Sequence, residues 1–299
     1  MCNCPSCNNP LLKEATQYSC RNCGKIYPDK EGIIQFAKDT QHEEQYFPDN
    51  AFEILYQSEE KNFWFRVRNK IIGNTITRYL PPPSRILEVG CGTGYVSWYL
   101  KKLGYHVECA DLFFEALQFC KARDAGYLYY QYNLSDRIFI EEFDGVCAFD
   151  VLEHIEDDDA VLRNLHDALK PGGLLFITVP ADRRLWSAMD IYAEHKRRYS
   201  MQELQAKVEG KGFKIIKLSY FMTLLYPFIL LSRKLSLRTG NINDGDRKKQ
   251  IQKEAMSELQ PNIIINSLFF LIFSLDVPLI SSFTLPFGSS LLCVAVKEI

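Results

Sequence analysis

What this 299-residue chain lacks narrows it first. It has no charge excess of either sign: 35 Lys and Arg stand against 37 Asp and Glu, a net charge of −2, so no global positive field draws it to nucleic acid and no nucleic-acid partner is expected. The opening residues, Met1-Cys-Asn-Cys-Pro-Ser-Cys7, lack the charged-then-apolar pattern of a secretory signal, so a cytoplasmic protein is expected. A smooth apolar run of spanning length is missing too. Ile263–Leu275 has 13 residues against the roughly 20 a spanning helix needs, and Pro227, Pro278, Pro286 and Gly288 interrupt the apolar stretches around it, so these should not span. Finally, no lysine follows the glycines of Ile86-Leu-Glu-Val-Gly-Cys-Gly-Thr-Gly94. What is present is ample apolar content, 47%, enough for one large core and a small second domain.

Half of the ten cysteines fall within the first 23 residues. Cys4-x2-Cys7, twelve intervening residues and Cys20-x2-Cys23 form two thiolate hooks at a spacing that lets four sulfurs surround one tetrahedral zinc, with Pro5 and Gly24 suiting tight turns. So short a segment cannot bury enough core to fold without metal. Cys2 is a spare thiol, and Cys91, Cys109, Cys120, Cys147 and Cys293, in or beside apolar runs, read as small buried hydrophobes. Residues 4–36 resemble the zinc ribbon that precedes the catalytic domain of a ribosomal-RNA guanine methyltransferase and that forms a small activating subunit of several methyltransferases. The resemblance implies a structural Zn2+ on Cys4, Cys7, Cys20 and Cys23, with no open coordination position for water.

Residues 39–60 are polar and acidic and read as a linker leading into a helix; 62–80 carries Phe63, Val67, Ile71 and Ile72 at helical spacing and stops at Pro81-Pro82-Pro83. From 85 the pattern alternates: strand 85–90, helix 93–103, strand 105–110, helix 113–123, strands 127–133 and 144–149, helix 158–169, strand 173–179, helix 201–211 and strand 213–220, with a last strand at Ser290–Lys297. That alternation implies a parallel sheet covered on both faces.

In such a sheet the turn after the first strand must let a ligand approach the main chain. A phosphate-cradling P-loop would need lysine and a hydroxyl after Gly94, where Tyr95-Val96 stand, and a dinucleotide fingerprint would need glycine at 95. The remaining pattern, Glu88 followed by Gly90-x-Gly92-x-Gly94, resembles motif I of the class I S-adenosylmethionine-dependent methyltransferases, and further motifs follow in order: Asp111 at the end of the second strand, Gln131-Tyr-Asn133-Leu134, 143–155 and 169–181. The resemblance implies an α/β fold, a doubly wound Rossmann-like seven-stranded methyltransferase sheet, with the zinc ribbon at 1–38, a linker and lid helix at 39–80, and the methyltransferase domain at 81–299 carrying an apolar helical insertion at 221–287. It also implies S-adenosylmethionine as cofactor, held by Glu88, Gly90, Cys91, Gly92, Gly94, Asp111, Leu112, Asn133, Leu134, Asp150 and Val151, with Trp64 and Arg68 on the lid helix. Asp111 would accept both ribose hydroxyls, and an acid there suits a cationic sulfonium better than a pyrophosphate. Asn133 departs from the family's usual aspartate, though its carbamoyl oxygen can still accept from an adenine amino group.

Methyl transfer from a sulfonium is an in-line displacement, so the protein must align the acceptor, exclude water and take a proton from a neutral acceptor. His154, after the fourth strand, and His195 are the candidate bases. The stretch Pro180–Ser200 resembles an acceptor-side segment of methyltransferases acting on small molecules or lipids, which implies substrate-binding roles for Trp186, Arg197, Arg198 and Tyr199. Glu153-His154 also resembles a pair that helps hold a divalent cation in related quinone O-methyltransferases. No charge occurs from Leu218 to Ser232, and Asp276 is the only one from Asn262 to Val296. Those segments, 218–232 and 262–287, would either cap an apolar acceptor or contact a membrane peripherally, with the polar, basic stretch 233–254 between them. The function expected is methyl transfer to oxygen, or to carbon or nitrogen, of a small apolar or lipid-linked acceptor, by a cytoplasmic protein peripheral on the inner membrane face. The rivals are an RNA base methyltransferase and a non-catalytic, cofactor-binding partner subunit.

Overall fold

The structure, a computed structural model, describes residues 2–14, 17–37, 50–236, 259 and 262–298. Four short strands, β1 (Leu12–Lys13), β2 (Gln17–Ser19), β3 (Ile26–Lys30) and β4 (Ile33–Gln35), form an antiparallel ribbon around the two cysteine hooks. Helix α1 (Ala51–Glu59) follows, within what the polar composition suggested was linker. Helix α2 (Phe63–Tyr79) starts where the Asn62 side chain accepts the Trp64 amide. Its expected apolar face, Phe63, Val67, Ile71 and Ile72, is buried with Ile76; burying each such side chain is worth about 1.5–3 kcal/mol.

The central strands are β5 (Arg85–Val89), β6 (His106–Asp111), β7 (Leu128–Gln131), β8 (Phe143–Phe149), β9 (Leu169–Pro180), β10 (Phe213–Phe221) and β11 (Ser290–Lys297). They lie side by side in the order β7-β6-β5-β8-β9-β11-β10, with β11 antiparallel to both its neighbours. Helices α3 (Tyr95–Lys102), α4 (Phe114–Ala122), α5 (Asp158–Ala168) and α7 (Met201–Glu209) connect these strands, and a short α6 (Ala188–Tyr192) lies between β9 and α7. The near-continuous apolar runs of β5, β8 and β9 are buried because helices cover both faces. The ribbon does not stand apart from this sheet: β4 pairs in parallel with β7, extending it to eleven strands.

The insertion before β11 holds α8 (Tyr226–Ser236), α9 (Ile263–Phe273) and α10 (Asp276–Ser282). Most of the polar stretch 233–254 lies outside the described residues. The expectation that proline breaks the apolar run is corrected. α9 and α10 follow one another across a single turn at Ser274–Leu275, and together Ile263–Ser282, 20 residues, are by length and composition alone long and apolar enough to cross a membrane. Pro278 falls in the first turn of α10, where its missing N–H costs no intrahelical bond.

Candidate active site

The turn after β5 carries the glycines. Gly92 sits at φ +52°, a Cβ on it would point into open space, and its amide donates to Asp111 Oδ2 at 2.8 Å. Gly94, at φ +78°, packs so closely on α4 that a Cβ would lie 2.5 Å from Cys120 Sγ. Larger residues at either place would strain the backbone or lift the turn. Asp111 ends β6 with its other oxygen accepting the Phe113 amide at 2.9 Å. A carboxylate offers about four lone-pair sites, so about two remain for hydroxyl donors. Burial holds the Asp111 carboxyl above the usual aspartate range against the pull of those amides. Glu88 is buried beneath the turn and accepts from Ser97 Oγ; burial pushes it up to about 8.

Helix α2 brings Arg68 across the end of β8, where it pairs with Asp150 at 2.6 Å, at the carboxyl ends of the central strands where the glycine turn also lies. The Trp64 ring lies against the Arg68 guanidinium, 5.3 Å from centroid to carbon. A second clamp has no counterpart in the sequence pattern. Glu59 at the end of α1 is buried, accepts from Thr93 Oγ1 of the glycine turn at 2.5 Å and pairs with Arg123 at 3.0 Å; burial lifts it to about 7 despite Arg123. Asn69 of α2 donates to the Tyr95 carbonyl at 3.1 Å. These partners are separated by tens of residues and carry no local signature.

Other named positions have settled places. The Cys91 side chain turns into the core beside Cys120, Sγ to Sγ 3.9 Å, and all five scattered cysteines are buried. Val151 packs over Gly90, and the Leu112 and Leu134 carbonyls accept from Gln131 and Asn164. Asn133 is exposed and its Oδ1 accepts the Ser135 amide at 2.9 Å, so the oxygen expected to take an adenine amino group is partly engaged in a local turn.

In the segment after β9 expected to face an acceptor, Asp190 is the organiser, a residue with no expected role. Its carboxylate closes a capping box with Ser187, takes a bidentate pair from Arg198 at 2.7 and 2.9 Å, and meets His195 Nδ1 at 2.9 Å. Burial opposes its ionisation, but the bonds from His195 and Arg198 hold it well below the carboxylate range. The only sequence hint was its place three residues after Ser187. Nε2 of His195 faces Glu153 Oε1 at 3.9 Å, and the His154 ring crosses edge-on with centroids 4.8 Å apart. Burial, then His195, pushes His154 down to about 4. Glu153 is wholly buried, both its oxygens lack a hydrogen-bond partner among the described residues, and burial raises it far above the usual range.

Of the side chains expected to bind acceptor, three are engaged inside the protein. Arg198 is committed to Asp190; Arg197 pairs with Asp158 at 3.2 Å; the Tyr199 hydroxyl contacts Leu152 O and Asp158. Trp186 is 38% exposed. Beyond them, at the ends of β9 and β10, lies a cavity of about 420 Å³ between Asp182, Arg183, Arg184, Tyr220, Tyr226 and Phe287. Its wall is already charge-paired: Arg184 grips Asp182, whose carboxyl that bond holds down at about 2, and Tyr226 joins the pair.

In the ribbon, Cys4 and Cys23 sulfurs lie 3.6 Å apart and Cys7 and Cys20 3.4 Å apart, and all four fall within 4.8 Å of one another. Tetrahedral Zn–S bonds of about 2.3 Å place sulfurs about 3.8 Å apart, so the four thiols fit one zinc.

A sheet in this strand order, with the last strand reversed and an acid-bounded glycine turn at its centre, defines a Rossmann-like methyltransferase fold. Residues 56–218 match the methyltransferase domain family. The ubiquinone biosynthesis O-methyltransferase of Xanthomonas axonopodis pv. citri is 33% identical over 107 residues, 34% of this chain and 45% of the relative. That of Xylella fastidiosa is 32% identical over 101 residues, 32% and 41%. The chain thus spans less than half the length of these curated relatives. Among solved structures, the complex between the Haloferax volcanii Trm112 methyltransferase activator and a methyltransferase superposes with TM-score 0.53 at 15% identity, over 83% of this chain and 98% of that one. The [4+2]-cyclase SpnF does so with TM-score 0.50 at 16% identity, over 77% and 82%. At such identities these two speak for the fold alone. The matched family covers more than half of the chain, which belongs to the class I S-adenosylmethionine-dependent methyltransferases.

Proposed function

We propose that the chain methylates an oxygen of a small apolar or lipid-linked acceptor, with His195 as the general base. The observation that carries this is the Asp190–His195 pair: the carboxylate fixes Nδ1 as the protonated nitrogen and leaves Nε2 as the acceptor of a proton, beside the end of β8 where Arg68 and Asp150 meet. S-adenosylmethionine supplies an electrophilic methyl on a cationic sulfur. Around it, Gly92 gives backbone access, Asp111 accepts ribose hydroxyls, and Glu88 and Asp150 supply negative or ionisable oxygens without any phosphate-binding lysine. With the methyl donor held there and its methyl passing to the acceptor oxygen, His195 would take the acceptor's proton on Nε2, and Asp190 would stabilise the imidazolium. The acceptor would enter by the cavity beside Tyr226, whose paired charges favour an uncharged head. The curated relatives' names are consistent with such an acceptor.

The orphaned carboxyl of Glu153 supports a second reading, in which Glu153, His154 and His195 hold a divalent cation that fixes the acceptor oxygen. In the ribbon, the four thiols would hold a structural zinc.

The insertion fits peripheral contact with an anionic bilayer. Ile263, Ile264, Leu268, Leu271 and Leu275 of the α9–α10 path are exposed, as are Phe228 and Leu231 of α8. Cations rim this face: Arg66 and Lys70 lie over the Phe270 ring, Arg78 reaches Ser281 O and Lys217 reaches Phe283 O. Asp276, the one acid between Asn262 and Val296, is buried. Phe273 and Ile280 pack into the domain core, so the helix lies along the interface rather than through it. The test is mass spectrometry of detergent extracts from cells with and without the protein. A lipid or small apolar metabolite gaining one methylene's mass only when the protein is present supports the reading; methylated RNA alone sinks it.

A further inference from the structure

The ribbon is joined to the cofactor turn by a short, fully traceable path. Beyond the cysteines, the Tyr27 hydroxyl shares a hydrogen bond with Cys4 Sγ at 3.1 Å, the Tyr27 ring meets Phe36 edge-on at 5.3 Å, and Phe36 stacks on Tyr130 of β7 at 6.1 Å. The amides of Phe36 and Ala37 both donate to the Gln131 carbonyl, at 2.8 and 3.0 Å. Beside them, Gln35 on β4 stands in register with Gln131 on β7, and its Nε2 donates to Gln131 Oε1 at 2.8 Å. Gln131 is completely buried, and its own Nε2 donates to the Leu112 carbonyl at 3.1 Å. Tyr132 N holds the Asp111 carbonyl at 3.0 Å. The next amide, Phe113 N, is one of the two that aim the Asp111 carboxylate, the other being Gly92 N. Gln131 is therefore a two-handed side chain. One hand is filled by the ribbon, and the other fixes the corner that orients the ribose-binding acid.

The ribbon's strands are two to five residues long, too little to hold shape without the four thiols tied together. If β4 leaves β7, the buried amide of Gln131 loses its partner and must turn toward another, releasing Leu112. We infer that Gln35 and Gln131 are positioning residues through which the metal-bound ribbon holds the Asp111 corner in its donor-binding shape, so that metal in the ribbon sets affinity for the methyl donor. This rests on the reading of the central turn as an S-adenosylmethionine site. It goes beyond a structural role for the metal, because it ties the four sulfurs to one ligand's affinity.

The test uses full-length protein and calorimetric titration with S-adenosylhomocysteine, with bound zinc quantified in every sample. Zinc-stripped protein is expected to bind about tenfold more weakly than loaded protein, a change of about 1.4 kcal/mol, and to recover on reloading. Gln131→Leu, which keeps all four thiols and the side-chain bulk, is expected to show the same loss with its zinc content unchanged. Stripping that variant should weaken it less than twofold further, since both changes break one path. Gln35→Leu should reproduce most of the effect. Equal affinity in loaded and stripped wild type overturns the inference. If stripped protein no longer melts cooperatively, Gln131→Leu decides alone: full zinc with unchanged affinity overturns it, and full zinc with weakened affinity upholds it. Loaded wild type that binds no S-adenosylhomocysteine instead sinks the donor site on which the inference rests.

Discussion

The two halves of this sheet are built in different ways. On the β5–β7 side, ligand-facing groups are backbone amides and acids at strand ends, fixed by glycine turns within a few residues of one another. On the β9–β11 side, the site is made of side chains that bind one another, Asp190 with His195 and Arg198, Asp182 with Arg184 and Tyr226, and an apolar helix left largely uncovered. The first half is suited to one invariant ligand. The second, where the acceptor is proposed to bind, could take a different one by altering a few side chains without disturbing the sheet.

That contrast can be broken at its strongest point first. Asp111→Ala removes the proposed ribose acceptor and the partner of Gly92; binding of S-adenosylhomocysteine should fall by about a hundredfold or more in calorimetry, in line with the loss of charge-assisted bonds in a buried site. On the other half, His195→Ala should lower kcat for methyl transfer by about 10²–10⁴ while leaving S-adenosylhomocysteine affinity within twofold. Asp190→Asn should do the same more mildly. If His195→Ala weakens both equally, the division between halves is wrong. If a chelator of divalent cations removes activity from zinc-loaded wild type and Mg2+ restores it, the cation reading of Glu153, His154 and His195 replaces the base.

A smaller effect is expected at the exposed helix. Ile264→Glu with Leu271→Glu, at positions 75% and 71% exposed, should reduce co-sedimentation with phosphatidylglycerol vesicles about tenfold and leave the melting temperature unchanged. Retained vesicle binding would argue for a cap instead.

The mildest effect is a pH dependence. The folded Glu88 acid ionises near 8 and an unfolded one near its ordinary value of 4.5. Its folded-state value is raised, so its stabilising contribution is complete below that ordinary value and is lost as pH rises toward 8. In ligand-free protein, Glu88→Gln should therefore flatten the fall of melting temperature between about pH 5 and 8. An equally steep fall in the variant would mean that another group titrates.

How much of this was legible follows the same division. The glycine turn, the alternation of strands and helices, Asp111 and the final strand at Ser290–Lys297 each depend on residues close in sequence, and each stands where the pattern put it; that the final strand runs antiparallel to both neighbours, in a sheet expected to be parallel, is a matter of long-range pairing and did not show. The helix at Pro278 does not show in the sequence, because proline is tolerated in a first turn and the sequence does not reveal that one begins at Asp276. Glu59 with Thr93 and Arg123, and β4 with β7, are invisible in the sequence for a common reason: each is a long-range pairing whose register only the folded chain supplies. Asp190 and His195 stand five residues apart, but the turn that brings their side chains together carries no sequence signature beyond the Ser187 cap.

The central claim is that the bend after β5 and the Asp111 carboxylate were shaped for a sulfonium-bearing nucleoside and not for phosphates. Calorimetric titration of the zinc-loaded protein with S-adenosylmethionine, S-adenosylhomocysteine, NAD and ATP tests it directly. The account predicts stoichiometric binding of the first two and no heat from the others. Binding of NAD or ATP, with none of the methyl donor or its product, would contradict it.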